Sequence, residues 1–143
     1  MGLTVELPSD AEPLDLGSMP EAQRYLGNGA LVFAGLGWTL VVVRVTFDSK
    51  VTAKALREFG AGVVAGLGSG PDVSDFKWSL QPERADRIRI SGSFKRQSVP
   101  LSVDACVLSA GRDAFCGAAI YENTDPQTKA TALRVVKSIS LER

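Results

Sequence analysis

Cys106 and Cys116 carry the most reactive side chains of the chain, ten residues apart on the two arms of an expected hairpin. A turn centred on Gly111 makes them direct cross-strand neighbours, with Cα atoms about 4.5–5.5 Å apart and within reach of a disulfide. A two- or four-residue loop shifts the register by one, pairs Cys106 with Gly117 and separates the sulfurs. The cysteines are then two small buried apolar residues, as free cysteines commonly are. No metal site is expected, because the chain has no histidine and two thiolates do not complete a tetrahedral shell.

Arg84, Arg87, Arg89, Lys95 and Arg96 form the basic cluster of the chain. Arg87 and Arg89 share a strand face because the side-chain period of a strand is two. Such a face can contact a phosphate, a carboxylate or an acidic protein segment; the competing reading is a solvated sheet edge protected by charge. Without histidine, proton transfer would fall to carboxylates, lysines, tyrosines or cysteines. Asp104 is the one acid inside an apolar strand run, and its expected place is the polar, outward side of the alternation. Ser91, Ser93, Ser98 and Ser102 have no base near them in sequence, and there is no G-x-S-x-G elbow.

Gly60-Ala61-Gly62-Val63-Val64-Ala65 matches the dinucleotide fingerprint in letters only, since it lies within a helical pattern rather than at a helix N-terminus after a strand. Small residues that bring a helix close to a sheet account for it better. Gly66-Leu67-Gly68-Ser69-Gly70 lacks the Lys-Ser/Thr of a phosphate-binding loop and reads as a helix exit. Neither a catalytic constellation nor a cofactor is expected.

The elements that must position these residues follow from periodicity. Leu3 to Leu7 alternates and stops at Pro8, a short strand; residues 9–21 bear prolines and acids and read as a mobile loop; Gln23 to Gly27 reads as a brief strand. Ala30 to Phe47 reads as two strands around Gly35-Leu36-Gly37, the second apolar on both faces and hence central. Asp48 or Ser49 is the expected cap of a helix whose stripe is Leu56, Phe59, Val63 and Leu67. Asp75 to Gln81 is a strand carrying Trp78, and Trp38 and Trp78 are expected core anchors. The last third reads as strands at Arg87–Ile90, Val99–Leu108 and Ala114–Tyr121. A helix capped by Asp125-Pro126 closes it, with Ala130, Leu133 and Val136 on its inner face.

The chain of 143 residues is expected to make one domain. Sixteen basic and sixteen acidic side chains remove the bulk electrostatic argument for nucleic acid. The longest apolar run, Ala30 to Val45, is shorter than the ~20 residues a membrane span needs and contains Arg44. Met1 to Pro8 lacks the basic and apolar regions of a signal peptide. The expected location is cytoplasmic if Met1 is the natural start, and the cell envelope or periplasm if a leader has been removed.

The order of these signals resembles the PsbP-like and Mog-like superfamily, which includes LpqN-type bacterial lipoproteins. The matching residues are the opening strand Leu3 to Pro8, the strand into a first helix Val41 to Leu67, and Ile90-Ser91-Gly92-Ser93 on an internal strand. The long hairpin and the closing helix ending Val135-Val136-Lys137-Ser138-Ile139 complete the match. The resemblance implies an α+β fold, a mostly antiparallel sheet flanked by helices in an α/β/α sandwich, and a non-enzymatic role. The leading expectation is a binding or accessory domain of the bacterial cell envelope, holding a protein partner or small apolar ligand on its sheet face or groove. The alternative is a cytoplasmic chaperone or adaptor that forms a homodimer and shields apolar client segments.

Overall fold

A computed structural model describes residues 3–14 and 30–141. Seven strands form one sheet in the order β2-β3-β4-β8-β7-β6-β5: β2 (Glu12–Leu14), β3 (Ala30–Gly35), β4 (Trp38–Thr46), β5 (Val73–Arg84), β6 (Arg87–Arg96), β7 (Val99–Ala110) and β8 (Asp113–Glu122). Every pairing in it is antiparallel. A separate pair joins β1 (Leu3–Thr4) to β9 (Ser140–Leu141). Helix α1 (Ala53–Leu67) follows β4, and α2 (Pro126–Lys137) follows β8. The chain is therefore an α+β fold dominated by antiparallel sheet.

Side chains alternate along β7 between two cores. Val103, Ala105 and Val107 join Leu56 and Val64 of α1, whereas Cys106 and Leu108 join Ala132, Val135 and Val136 of α2. A strand sends successive residues to opposite faces, so the two helices lie against opposite faces of the sheet. The apolar run of β4 has the same cause: Val41 and Val43 pack towards α1, and Leu40 packs towards α2.

Local physics explains where the sequence expectations shift. The first helix is capped by Thr52, whose hydroxyl accepts from the Ala55 N–H at 3.1 Å, and not by Asp48 or Ser49. The N–H groups of Phe47 and Val51 donate to the Arg112 and Gly111 carbonyls at 2.8 Å, which holds the chain extended past both expected caps. Asp125 caps α2 with Pro126 in its first turn. The buried face of α2 is Ala132, Val135 and Val136; Ala130 is exposed. Within residues 9–21, Glu12–Leu14 pairs with Val32–Ala34 as an edge strand where Pro13 is tolerated. Residues 15–21 of that loop and the strand at Gln23 to Gly27 lie outside the described residues. Trp38 is buried, but Trp78 on β5 is 43% exposed and is not a core anchor.

Helix α1 meets the sheet through Leu56, Gly60 and Val64, with Phe59, Val63 and Leu67 half-buried beside them. A Cβ at Gly60 would lie 2.7 Å from Val107 Cγ2 and 3.1 Å from Ile90 Cδ1, both held in the core. At Gly62 a Cβ would meet nothing within 4 Å. Gly60→Val is therefore expected to cost about 1–3 kcal/mol by overpacking. Gly62→Ala is expected to gain about 0.5–1 kcal/mol of helix propensity. Urea unfolding of both variants checks this; equal effects at the two positions would contradict the packing of α1.

Candidate functional site

The turn between β7 and β8 decides the cysteines. It is a two-residue loop, Gly111-Arg112, with Ala110 opposite Asp113 and Gly111 at φ 61, a conformation that favours glycine. The register places Cys106 opposite Gly117, and Cys116 opposite Val107. Cys106 thus enters the α2 core and Cys116 the α1 core, as free thiols on opposite faces. The Gly111-centred disulfide is corrected by this one-residue difference in loop length. Burial pushes the Cys116 thiol up to about 12 and raises that of Cys106, where Arg87 and Arg89 partly offset it.

Alkylation of the native protein at neutral pH is accordingly expected to leave both thiols unmodified, and alkylation in urea to modify both, as read by intact mass. A thiol whose folded pKa is raised favours folding below its unfolded value and loses that contribution as pH climbs towards the folded value. For Cys116 the window runs from about 9 to about 12. The Tyr121 phenol, raised by burial and then by its bond to Asp104, adds to the same alkaline loss. Stability should decline above pH ~9, and less steeply in Cys116→Ala. A flat profile in this range would contradict the burial.

The basic cluster divides over the fold. The β6–β7 register places Arg87, Arg89 and Lys95 opposite Leu108, Cys106 and Pro100, on the face that α2 partly covers. Arg87 and Arg89 hold Glu83 at 3.0 and 3.8 Å, and Lys95 holds Asp75 at 3.5 Å. Arg84 pairs with Asp86 at 3.5 Å in the β5–β6 turn. Arg96 lies on the other face, donates to the Leu67 carbonyl at 3.2 Å and sits 5.5 Å from the centre of the Phe94 ring. That carbonyl is at the end of α1, where a cation is favoured. The five cations do not converge on one point.

What converges instead is a polar patch around Asp104. Among the described residues, helix α2 packs on β7 and β8 and leaves the same face of β5 and β6 open. On that face Ser91 stands opposite Asp104, and Ser93 opposite Ser102. Ser91 Oγ donates to Asp104 Oδ1 at 2.8 Å, and the Tyr121 hydroxyl donates to Oδ2 at 2.5 Å. Asn123 Nδ2 donates to Ser102 Oγ at 3.2 Å. Asp104 faces the polar side, as expected, but it is 8% exposed rather than solvated.

Its neighbour across β8 is Ala119, small enough for Tyr121 to reach it diagonally from opposite Ser102. Sequence reasoning did not bring Tyr121 into this group. The signal was the acid in an apolar run, and the missing step was the two-residue loop that sets which residues oppose it. Chemically, the patch offers hydroxyls and cations at its rim and a carboxylate that is already hydrogen-bonded at its centre. Apart from this patch, a groove of ≈ 910 Å³ at one end of the sheet is lined by Val51, Ala53, Ala110 and Leu141, among others, with Lys50 and Arg84 at hand.

No family model and no curated protein matches the chain. Solved structures do match in fold. LpqN, involved in cell envelope biogenesis of Mycobacterium tuberculosis, aligns with a TM-score of 0.57 and 16% identity over 97% of this chain and 83% of that one. A protein from Bacteroides thetaiotaomicron aligns with a TM-score of 0.56 and 12% identity over 99% of this chain and 45% of that one. This chain therefore spans less than half the length of the Bacteroides protein. At these identities the likeness is one of fold.

Proposed function

We propose that this chain is a non-enzymatic binding domain of the bacterial cell envelope that engages a protein partner on the polar patch shared by β6 and β7, beside the open face of β5 and β6. The observation that carries the reading is the patch Ser91, Ser93, Ser102 and Asp104 with Arg89 and Lys95 at its rim: a half-covered sheet face whose hub is buried and held while its rim is accessible. A surface built this way suits polar recognition, with the buried hub fixing the rim in place. The non-enzymatic reading has two supports: the carboxylate of Asp104 is committed to Ser91 and Tyr121, and the Tyr121 phenol is held protonated. The fold shared with LpqN supports the envelope, and helices on both sides of the sheet accord with a PsbP/Mog-like α/β/α sandwich. A small apolar ligand would be better served by the end groove than by this face.

The thiols do not discriminate between compartments. Their placement on opposite faces keeps them from bridging to each other in an oxidising compartment as well as in the cytoplasm. The adaptor alternative needs a continuous apolar surface. Among the described residues, the exposed large apolar ones, Leu14, Leu31, Leu36, Val45, Trp78 and Val99, come from five different strands and a turn.

The test is photo-crosslinking in the native cell from a probe placed at Ser93, with a control probe at Lys54 on the outer side of α1. A discrete adduct from position 93, absent from position 54 and lost in an Arg89→Glu variant, supports the reading. Equal or absent crosslinking from the two positions overturns the binding face. A fusion of the native protein to a phosphatase that is active only outside the cytoplasm overturns the envelope assignment if it stays inactive.

A further inference from the structure

Strand β5 ends the sheet with one side unpaired among the described residues. Two observations fix which of its backbone groups face outward. A Cβ on Gly92 would lie 2.8 Å from the Lys77 carbonyl oxygen, so that carbonyl points inward to β6. Strand peptide groups alternate in direction, which turns the N–H and C=O of Trp78 and Leu80 outward, together with the C=O of Pro82. Pro82, which has no N–H to donate, stands on the outward set, where its ring costs the sheet no ladder bond. The free edge therefore offers two donors and three acceptors. None of these takes part in a hydrogen bond among the described residues. A bulge at Asp75, at φ 57, and a second irregularity after Pro82 limit the straight stretch to about the residues between them.

We infer that this edge pairs with the same edge of a second copy, antiparallel about a two-fold axis at Ser79. In that register Trp78 N–H meets Leu80 C=O of the second copy, and Leu80 N–H meets its Trp78 C=O. The symmetry repeats both bonds, so four donors and four acceptors are used and Pro82 falls outside them. On the α1 side the half-exposed Trp78 packs on Leu80 of the other copy, an aromatic–aliphatic cross-strand pair. On the opposite side Lys77, which has no ion pair among the described residues, stands opposite Gln81 of the second copy. A second copy is the partner that this strand complements by itself. The pairing extends the sheet and does not depend on what occupies the polar face.

The axis makes the inference testable at one exposed residue. Ser79 meets its own copy across a non-hydrogen-bonded pair, with Cα atoms about 4.5 Å apart. In Ser79→Cys, mild oxidation is expected to give a disulfide-linked dimer within the range a bridge requires, while Ser74→Cys on the same strand gives none. Ser79→Asp and Ser79→Lys each place like charges in direct opposition. Each should weaken the dimer roughly five-fold or more in sedimentation equilibrium, and mixing them should restore it. Circular dichroism of each variant separates loss of pairing from loss of fold. A wild-type chain that sediments as a monomer to millimolar concentration overturns the inference. So do folded Asp and Lys variants that dimerise as the wild type does, or fail to dimerise when mixed.

Discussion

Phe94→Ala should lower the free energy of unfolding by about 3–5 kcal/mol, measured by urea denaturation at neutral pH. The ring is 2% exposed and among the largest fully buried side chains of the α1 core. It lies opposite Leu101 across β6 and β7, and 6.2 Å from the Phe76 ring in a tilted pair. Arg96 stacks over it while reaching the Leu67 carbonyl at the end of α1, so truncation also removes the platform of that cap. Phe94→Leu keeps most of the buried volume and should cost less than half as much. Phe59 stands in the apolar stripe legible from sequence, yet it is half-buried against Phe47 at the edge of the core. Phe59→Ala should therefore cost less than Phe94→Ala, and the reverse order would show that α1 sits differently on the sheet.

Asp104→Ala should cost about 2–4 kcal/mol, from two bonds to a charged acceptor and a buried phenol left without one. Relief of burying a carboxylate offsets part of this, which keeps the figure below the simple sum. Tyr121→Phe should cost less, about 1–3 kcal/mol, because Ser91 still serves the carboxylate. The double variant separates the contributions: if the three side chains form one network, its cost falls short of the two single costs added together. A cost below about 0.5 kcal/mol for Asp104→Ala would show a solvated carboxylate and remove the hub of the proposed binding face. Both variants also test the face, since a rim no longer held by its hub should lose the Ser93 crosslink before the fold is lost.

Much of this architecture was legible along the chain. The strands from Ala30 onward, the α1 stripe and the Asp125-Pro126 start of α2 each rest on a local rule of period or capping, and the structure places them within a few residues, except that β6 runs past the expected Ile90 to Arg96. Local rules failed where a distant strand held the backbone. The hydrogen bonds from Phe47 and Val51 to the β7–β8 turn moved the α1 cap to Thr52. The inner face of α2 was set by the rotation that brings Ala132 and Val135 onto Cys106 and Leu108. Trp78 illustrates the same gap: its size suggests a core position, but an edge strand has a neighbour on one side only.

The basic cluster shows why a list of charges is not a site. Five cations within thirteen residues read as one group, but the period of the strand and the β5–β6 turn send them to two faces and a corner. The polar patch was invisible for the complementary reason. Ser91, Asp104 and Tyr121 come from three strands, and nothing in their own segments says that they meet.

The sequence by itself determined the order of the elements from β3 to α2, the alternation that makes two cores from one sheet, and the absence of the residue types that would build a histidine-based catalytic or metal centre. The tertiary structure alone decided the register. One residue more or less in the loop at Gly111 turns every side chain of β8 to the other face. That choice separated Cys106 from Cys116 and brought Tyr121 to Asp104. Turn length is settled by the packing of both faces together, an energy that no single segment of the chain contains.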